Sequence, residues 1–268
     1  MSDAIQEIEG AQPGVSWGIC IRIAGEEPQM SSLGETALRT ASVGKVLLLI
    51  TLARLLERGE IEPTELVGNE GVDPVADSGL WQHMDLEALP ITDLALLVGT
   101  VSDNLATNAL IARIGLEAVD ETCEELGLAE TRLLDIVRDV RTPGDPAAVS
   151  EGSALELSGL FEALRQRTRD RDPVSARVVD WLRPGCDLSM VASAFNLDPL
   201  AHFSADRGVN LVNKTGTNTE VRADVGFAEG PRRSAAYAAI ANWDAHEDHR
   251  DAVMEQMRAI GRLIRVAI

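Results

Sequence analysis

Hydrophobic positions along the chain change their period several times, and each change predicts a different kind of element. Residues 16–24, SWGICIRIA, alternate partly and are rich in isoleucine, which predicts an early strand closed by the turn Gly25-Glu26-Glu27-Pro28. A second short strand is expected over residues 37–40. From Val43 the pattern lengthens into VGKVLLLITLARLLERG, an apolar helical run ending at Gly59 after the basic Arg58. Between residues 68 and 90, Gly, Asp, Asn and Pro recur at close intervals and predict loop with at most short structure.

Helical spacing then returns over residues 92–101, 104–114 and 116–126, the last stopped by Gly127. Residues 131–152 are polar and turn-rich around Pro143-Gly144-Asp145-Pro146, and a helix is expected over 153–168. A connection of that length is often functional. After Pro184-Gly185 and an apolar patch at 190–200, strands are expected over 209–214, 223–228 and 234–242, with Glu229-Gly230-Pro231 as a hairpin turn. An amphipathic helix over 244–266 closes the chain. Strands at both ends with helices between them imply an α+β fold: an antiparallel sheet built from both termini and flanked by helices, plus an inserted all-α part. The expected division is 1–40 with 190–268 as the sheet-bearing subdomain and 41–189 as the all-α one, forming one compact unit. No internal repeat is visible.

Composition narrows the partners. The 268 residues are 45% hydrophobic, enough for a sizeable core. With 43 acidic against 24 basic side chains, the formal charge of -19 repels nucleic acid and anionic membranes, so the expected partner is a small molecule. The longest apolar run, residues 46–53, is far too short to span a bilayer. The start, MSDAIQEIEG, has neither a basic nor an apolar signal region and reads as a cytoplasmic protein. Cys20, Cys123 and Cys186 are odd in number and widely spaced, with no pair at metal-ligand spacing. They are expected to be reduced and mostly buried, and no metal or cofactor is implied.

Three short elements carry chemistry: Ser42-Val43-Gly44-Lys45, Ser102-Asp103-Asn104 and Lys214-Thr215-Gly216. A serine hydroxyl needs a base within hydrogen-bonding reach before it attacks an acyl carbon. Lys45 lies three residues after Ser42, so one helical turn brings its amine back to the same face, and the helix N-terminus adds backbone donors. Burial and the neighbouring Lys214 charge would hold the Lys45 pKa down. Ser102 offers a second hydroxyl to relay a proton to the leaving group. Asn104 would donate to a substrate amide and help fix Lys45. On the strand VNLVNKTGT, Lys214 and Thr215 can meet a substrate carboxylate, while Gly216 is expected to let an extended ligand lie close to the backbone. The N–H groups of Ser42 and Thr217 would form an oxyanion hole. Each motif alone is weak, since Ser42, Asp103 and Asn104 are also ordinary capping residues. Their order in one chain is the strong signal.

These motifs are the S-x-x-K, S-D-N and K-T-G set of class A β-lactamases and penicillin-binding proteins. The chain resembles that family over nearly its whole length. The runs Arg39-Thr40-Ala41-Ser42-Val43-Gly44-Lys45-Val46-Leu47-Leu48 and Val101-Ser102-Asp103-Asn104-Leu105-Ala106-Thr107-Asn108 are similar to it, as is the separation of 60 positions between Ser42 and Ser102 (102 − 42). The resemblance implies a two-part fold with the site in the cleft between the parts. It also implies an arginine on the strand after K-T-G, for which Arg222 is approximately placed.

One departure stands out. The family carries a glutamate, in an E-x-x-L-N pattern on the loop after S-D-N, that activates the deacylating water. Here that loop reads Thr131-Arg132-Leu133-Leu134-Asp135-Ile136-Val137-Arg138-Asp139, and the glutamate's place falls on Val137 or Arg138. Asp135, Asp139 and Glu151 are the candidate substitutes. The expected activity is a serine acyl-enzyme hydrolase acting on a β-lactam or related amide or ester, with slow deacylation. A penicillin-binding-type peptidase or transpeptidase, an intracellular esterase or amidase, and a non-catalytic binding protein are the open alternatives.

Overall fold

The computed structural model describes residues 1–72, 75, 77–200 and 205–268. Five strands form an antiparallel sheet: β1 (Ser16–Ile23), β2 (Gln29–Met30), β3 (Asn210–Thr217), β4 (Val221–Glu229) and β5 (Ser234–Asn242), in the order β2-β1-β5-β4-β3. The expected antiparallel sheet from both termini is therefore present. β1 and β5 lie side by side, with Ser16 opposite Asn242 and Ile23 opposite Ala235.

Period-2 alternation divides the side chains between two apolar clusters. On β5, Ala235, Tyr237, Ala239 and Ala241 join one cluster while Ala236, Ala238 and Ile240 join the other. On β1, Trp17, Ile19, Ile21 and Ile23 face the first cluster and Cys20 the second. Both faces of the sheet are covered, which explains why these strands read as near-continuous apolar runs.

The first cluster is closed by α1 (Ser2–Gly10) and by the C-terminal helix α8. α8 spans Arg250–Ala267, and its buried Val253, Met257, Ile260, Gly261 and Ile264 recur at helical spacing. It begins six residues later than the sequence pattern predicts (250 against 244), because residues 244–249 form turns in which Asp244 and Asp248 carboxylates accept nearby backbone N–H groups. α1 and α7 (Pro173–Leu182) lie where no element was expected.

The second cluster is the larger and holds α2 (Lys45–Glu57), α3 (Ile91–Val101), α4 (Asn104–Ile114), α5 (Leu116–Glu125), α6 (Ala154–Arg169) and α7. Residues 45 to 53 of α2 are all buried. A helix apolar all round belongs at the centre of a large core, and α2 sits there. α6 lies on the sheet: Arg22 on β1 donates to Ser158 Oγ at 3.0 Å and to Leu155 O at 3.2 Å. α6, within the segment 41–189, covers β1 and β5 with its apolar face.

The expected loop over 68–90 contains a short antiparallel pair at its ends, Leu66–Gly68 with Ala88–Pro90, and a 3-10 turn at Trp81–His83; residues 73, 74 and 76 lie outside the described residues. The turn-rich segment 131–152 forms a small sheet in which Ser150–Gly152 pairs with both Leu38–Arg39 and Arg132–Leu133. Among the described residues, no helix is long and apolar enough to cross a membrane. Of the cysteines, Cys20 and Cys123 are buried, whereas Cys186 is exposed, because it sits in the loop after α7 instead of in either cluster.

Contact between α3 and α7 requires Gly99. A Cβ there would lie 2.2 Å from the backbone oxygen of Trp181. Gly99→Ala is expected to destabilise the protein by about 1–3 kcal/mol, the usual cost of overpacking, read as a lowered midpoint in equilibrium urea denaturation.

Candidate active site

Ser42 sits in a 3-10 turn, Ala41–Gly44, immediately before α2. The helical run begins as α-helix only at Lys45, two residues later than Val43. Ala41 has φ +49°, a left-handed conformation that costs a non-glycine residue of order 1–3 kcal/mol and that its surroundings must hold. Ser150 does this: its Oγ donates to Ala41 O at 2.5 Å, lies 2.7 Å from Thr40 Oγ1, and its carbonyl accepts from Thr40 N at 3.1 Å. Gly44 lets the turn settle on Ser150, since a Cβ there would fall 2.3 Å from Ser150 Cβ. Asn242 fixes the approach to the turn, accepting from Arg39 N and donating to Arg39 O, each at 2.9 Å.

Gly216 belongs to the same construction. A Cβ there would lie 2.0 Å from Thr40 O and 3.1 Å from Ser42 N. The expectation that Gly216 makes room for a ligand is therefore corrected: it makes room for the turn that carries Ser42. This close approach also brings the end of β3, with Thr217, beside the Ser42 N–H.

The Ser102-Asp103-Asn104 motif is the joint between α3 and α4. Ser102 ends α3 with φ +57°, and Asp103 caps α4 by accepting from Ala106 N at 2.9 Å. The other Asp103 oxygen accepts from Leu80 N at 2.7 Å and Trp81 N at 2.9 Å. The joint thereby fixes the loop on the far side and turns the Ser102 side chain toward α2 and β3.

Two buried lysines meet at that side chain. Lys45 Nζ donates to Ser102 O and to Asn104 Oδ1, both at 2.7 Å, and lies 3.2 Å from Ser102 Oγ. Lys214 Nζ lies 3.0 Å from the same oxygen and donates to Thr215 O at 2.8 Å. Lys45 is 1% exposed and Lys214 3%. Burial, reinforced by the Lys214 charge, pushes the Lys45 pKa well below the usual lysine range. Burial pushes Lys214 down to about 8, against the opposing pull of Asp187 and Asp224. Behind β3, Asp224 is fully buried and accepts from Asn213 Nδ2 at 3.0 Å, Tyr237 Oη at 3.1 Å and Ala192 N at 3.2 Å. Burial raises its pKa to about 6.

Ser42, Ser102, Lys214, Thr215 and Thr217 line one cleft of about 390 Å³, whose floor and far wall include Thr100, Asn213, Cys186 and Asp187. Lys45 and Asn104 lie directly behind Ser102. Arg222 is not among the lining residues. Its guanidinium donates to Asn218 O at 2.5 Å and Val221 O at 2.8 Å and stacks 5.8 Å from the centre of the Trp243 ring. Sequence reasoning missed Ser150, whose role depends on a contact 109 positions from Ala41, and the cleft wall at Cys186 and Asp187. The Pro184-Gly185 break was the one local signal for the latter.

No residue of the 131–152 loop lines the cleft. Asn108, one turn after Asn104 on α4, clamps the loop at Val137: its Oδ1 accepts from Val137 N and its Nδ2 donates to Val137 O, each at 2.8 Å. Asp135 is enclosed by Arg138 and Arg141 at 2.8 and 2.7 Å and accepts from Ile136 N at 2.8 Å. Burial alone would raise its pKa, but these donors outweigh it and hold the carboxyl below its usual value. Glu151 sits in the small sheet opposite Arg39 and Arg132, and Asp139 is exposed.

Comparison with known proteins bears on the fold and the family. A search of curated proteins finds no match. Among solved structures, PBP-A superposes with a TM-score of 0.84 at 19% identity, covering 100% of this chain and 96% of that one. A PBP-A mutant has been captured as an acyl-enzyme complex with penicillin G, and superposes with a TM-score of 0.81 at 19% identity over the same shares. A β-lactamase from Sphaerobacter thermophilus superposes at 0.83 with 22% identity, over 98% and 96% of the two chains. An ancestral class A β-lactamase gives 0.83 at 19% identity, over 100% and 99%. At these identities the structures establish the class A β-lactamase fold. The model of the β-lactamase enzyme family matches residues 1–267, and the chain belongs to that family.

Proposed function

We propose that the protein is a serine hydrolase that forms an acyl-enzyme on Ser42 with a β-lactam or a related amide or ester. The observation that carries this reading is the convergence of two buried lysine amines on Ser102 Oγ at the wall of the cleft that Ser42 lines. A neutral Lys45 has two N–H groups and one lone pair. Ser102 O and Asn104 Oδ1 can only accept, so they take the two N–H groups and leave the lone pair for a hydroxyl proton. Lys45 is then the base for Ser42, directly or through Ser102, and Ser102 returns the proton to the leaving nitrogen or oxygen. Lys214, still an ammonium, holds the Ser102 oxygen in place. The N–H groups of Ser42 and Thr217 receive the developing oxyanion. Asn104 fixes Lys45, and Thr215 contacts substrate.

Deacylation is the step with least support from side chains. In this reading Asp135 is committed to its arginines, and Glu151 and Asp139 lie off the cleft. A missing general base slows water attack by about 10²–10⁴-fold. The acyl-enzyme is accordingly long-lived, which also favours a penicillin-binding type of activity as the second reading. PBP-A, trapped with penicillin G as a mutant acyl-enzyme, is a fold relative of that kind.

Incubation with a fluorescent penicillin and with a neutral phenyl ester, followed by intact mass, tests both readings. A stable adduct on Ser42 supports slow deacylation, and multiple turnovers without a persistent adduct support a lactamase or esterase. Failure of every acyl donor to label Ser42 overturns the acyl-serine mechanism. Ser42→Ala is expected to abolish labelling, and Lys45→Ala to slow it by about 10²–10⁴-fold. Acylation at the wild-type rate in the Lys45 variant would remove Lys45 as the base.

The pH dependence follows from the two amines. Lys45 must be neutral, so acylation falls as pH drops through its depressed pKa, well below the usual lysine value. Lys214 must be charged, so acylation also falls as pH rises through about 8. The expected profile of the acylation rate is a bell whose alkaline limb lies near pH 8. A rate still rising at pH 10 would contradict the assignment of Lys214.

A further inference from the structure

A second cavity opens among α2, α5, α6 and α7. At about 580 Å³ it is larger than the 390 Å³ cleft that Ser42 lines, and the two share no lining residue. Its apolar wall is built by Ile50 on α2, Leu126 after α5, Leu155, Leu160 and Leu164 on α6, and Val174 on α7. Ile50, Leu160 and Leu164 are buried, whereas Leu126, Leu155 and Val174 keep part of their surface open. A concave, mainly apolar wall with a few polar groups at that volume is the usual form of a small-molecule site.

Three carboxylates and three guanidiniums also reach this cavity, so their formal charges balance, but their hydrogen-bonding groups are used very differently. The carboxylates are committed. Glu156 accepts from Ala129 N at 2.7 Å and Glu130 N at 3.1 Å, Asp172 caps α7 by accepting from Ser175 N at 2.8 Å, and Glu125 pairs with Arg54. Arg22 gives Nε and Nη2 to two neutral acceptors, Ser158 Oγ and Leu155 O, and keeps Nη1. Gly159 leaves that guanidinium open to the cavity, since a Cβ there would stand 3.5 Å from Arg22 Nη2. Arg167 is exposed, and among the described residues its side chain enters no hydrogen bond or ion pair. It lies near Arg54, whose pKa is pushed down by burial and by the Arg58 and Arg167 charges. Unspent cationic N–H donors thus stand beside an apolar wall, and an anionic head is the group that would take them.

We propose that this second cavity binds a small amphipathic anion: a monocarboxylate whose apolar chain lies on the leucines and whose head meets Arg22 and Arg167. Burying the chain supplies the affinity and the guanidiniums choose the head. Binding there requires neither Ser42 nor Lys45 and is independent of the acyl-serine reading.

Equilibrium dialysis of the full chain against labelled octanoate, octan-1-ol and octylammonium, each below its micelle concentration, separates the head from the tail. Octanoate is expected to bind roughly tenfold tighter than octan-1-ol, with octylammonium the weakest of the three. Arg167→Glu is expected to weaken octanoate by roughly three- to tenfold and to leave octan-1-ol within about twofold. Ala163 also lines the cavity, and Ala163→Trp, which fills it from α6, is expected to remove binding of both. No octanoate bound at millimolar concentration, octanoate held no tighter than octan-1-ol, or octanoate affinity unchanged in Arg167→Glu overturns the proposal. Full octanoate binding in a folded Ala163→Trp protein overturns it as well, by placing the ligand elsewhere. Because Arg167 is exposed, its replacement leaves the core intact, and Arg167→Glu decides the matter even if Ala163→Trp lowers the urea midpoint.

Discussion

Two lysine amines buried within hydrogen-bonding distance of one serine oxygen are the constraint around which the rest of this structure is arranged. Removing one ammonium from water is costly, and removing two side by side is more so, because each charge also repels the other. In the proposed function one amine gives up its proton and the other keeps compensation nearby. The carboxylates of Asp187 and Asp224 flank Lys214, whereas Lys45 has two neutral carbonyl oxygens and only Asp103 as a nearby negative charge. In the proposed function this asymmetry of surroundings, more than the identity of the residues, separates the roles of two chemically identical side chains.

That asymmetry requires three elements distant in sequence to meet. α2 delivers Lys45 from the centre of the larger core, the α3–α4 joint delivers Ser102 and Asn104, and β3 delivers Lys214. Each element is held by contacts that serve no chemistry of their own: Ser150 under the Ala41 turn, Asp103 on the loop at Leu80 and Trp81, Gly216 against Thr40 O. Two non-glycine residues with positive φ, Ala41 and Ser102, flank the reacting groups. Strain of this kind survives where surrounding bonds over-determine the backbone, and here those bonds come from Ser150 at Ala41 and from Lys45 and Lys214 at Ser102.

Much of this was legible in the sequence, and the division between what was and was not follows the range of the interactions. Motifs spelled within three or four residues, and helices or strands whose period is set by their own burial, could be read directly: α2, β1, β5, and the residues Ser42, Lys45, Ser102 and Lys214. α7 was missed although Asp172-Pro173 is a good helix start, because the charged run before it obscured the apolar positions 174, 178 and 179. The start of α8 was misplaced because 244–249 is made of residues that suit turns as well as helices. Gly216 was given the wrong reason, since a sequence shows that space is needed but not for what. Ser150 had no local signature at all, since its importance lies in a partner far along the chain, and the cleft wall at Cys186 and Asp187 was marked only by the Pro184-Gly185 break.

In the proposed function, the helix that holds the loop at Val137 serves the two halves of an acyl-enzyme cycle unequally. Asn104 and Asn108 are one turn apart on α4 and point their amides at different partners, Lys45 and the Val137 backbone. Asn108 spends its oxygen and nitrogen on peptide groups, fixing the loop's path beside the cleft without placing a carboxylate in it. Asp135, two residues before Val137, is turned into a cluster with Arg138 and Arg141, where ionisation is favoured and basicity is low. A carboxylate held that way stabilises a loop well and abstracts a proton from water poorly. In the proposed function, acylation draws on a pre-organised pair of lysines while deacylation is left to water that no described carboxylate of the loop meets in the cleft, and the lifetime of the acyl-enzyme follows from that imbalance.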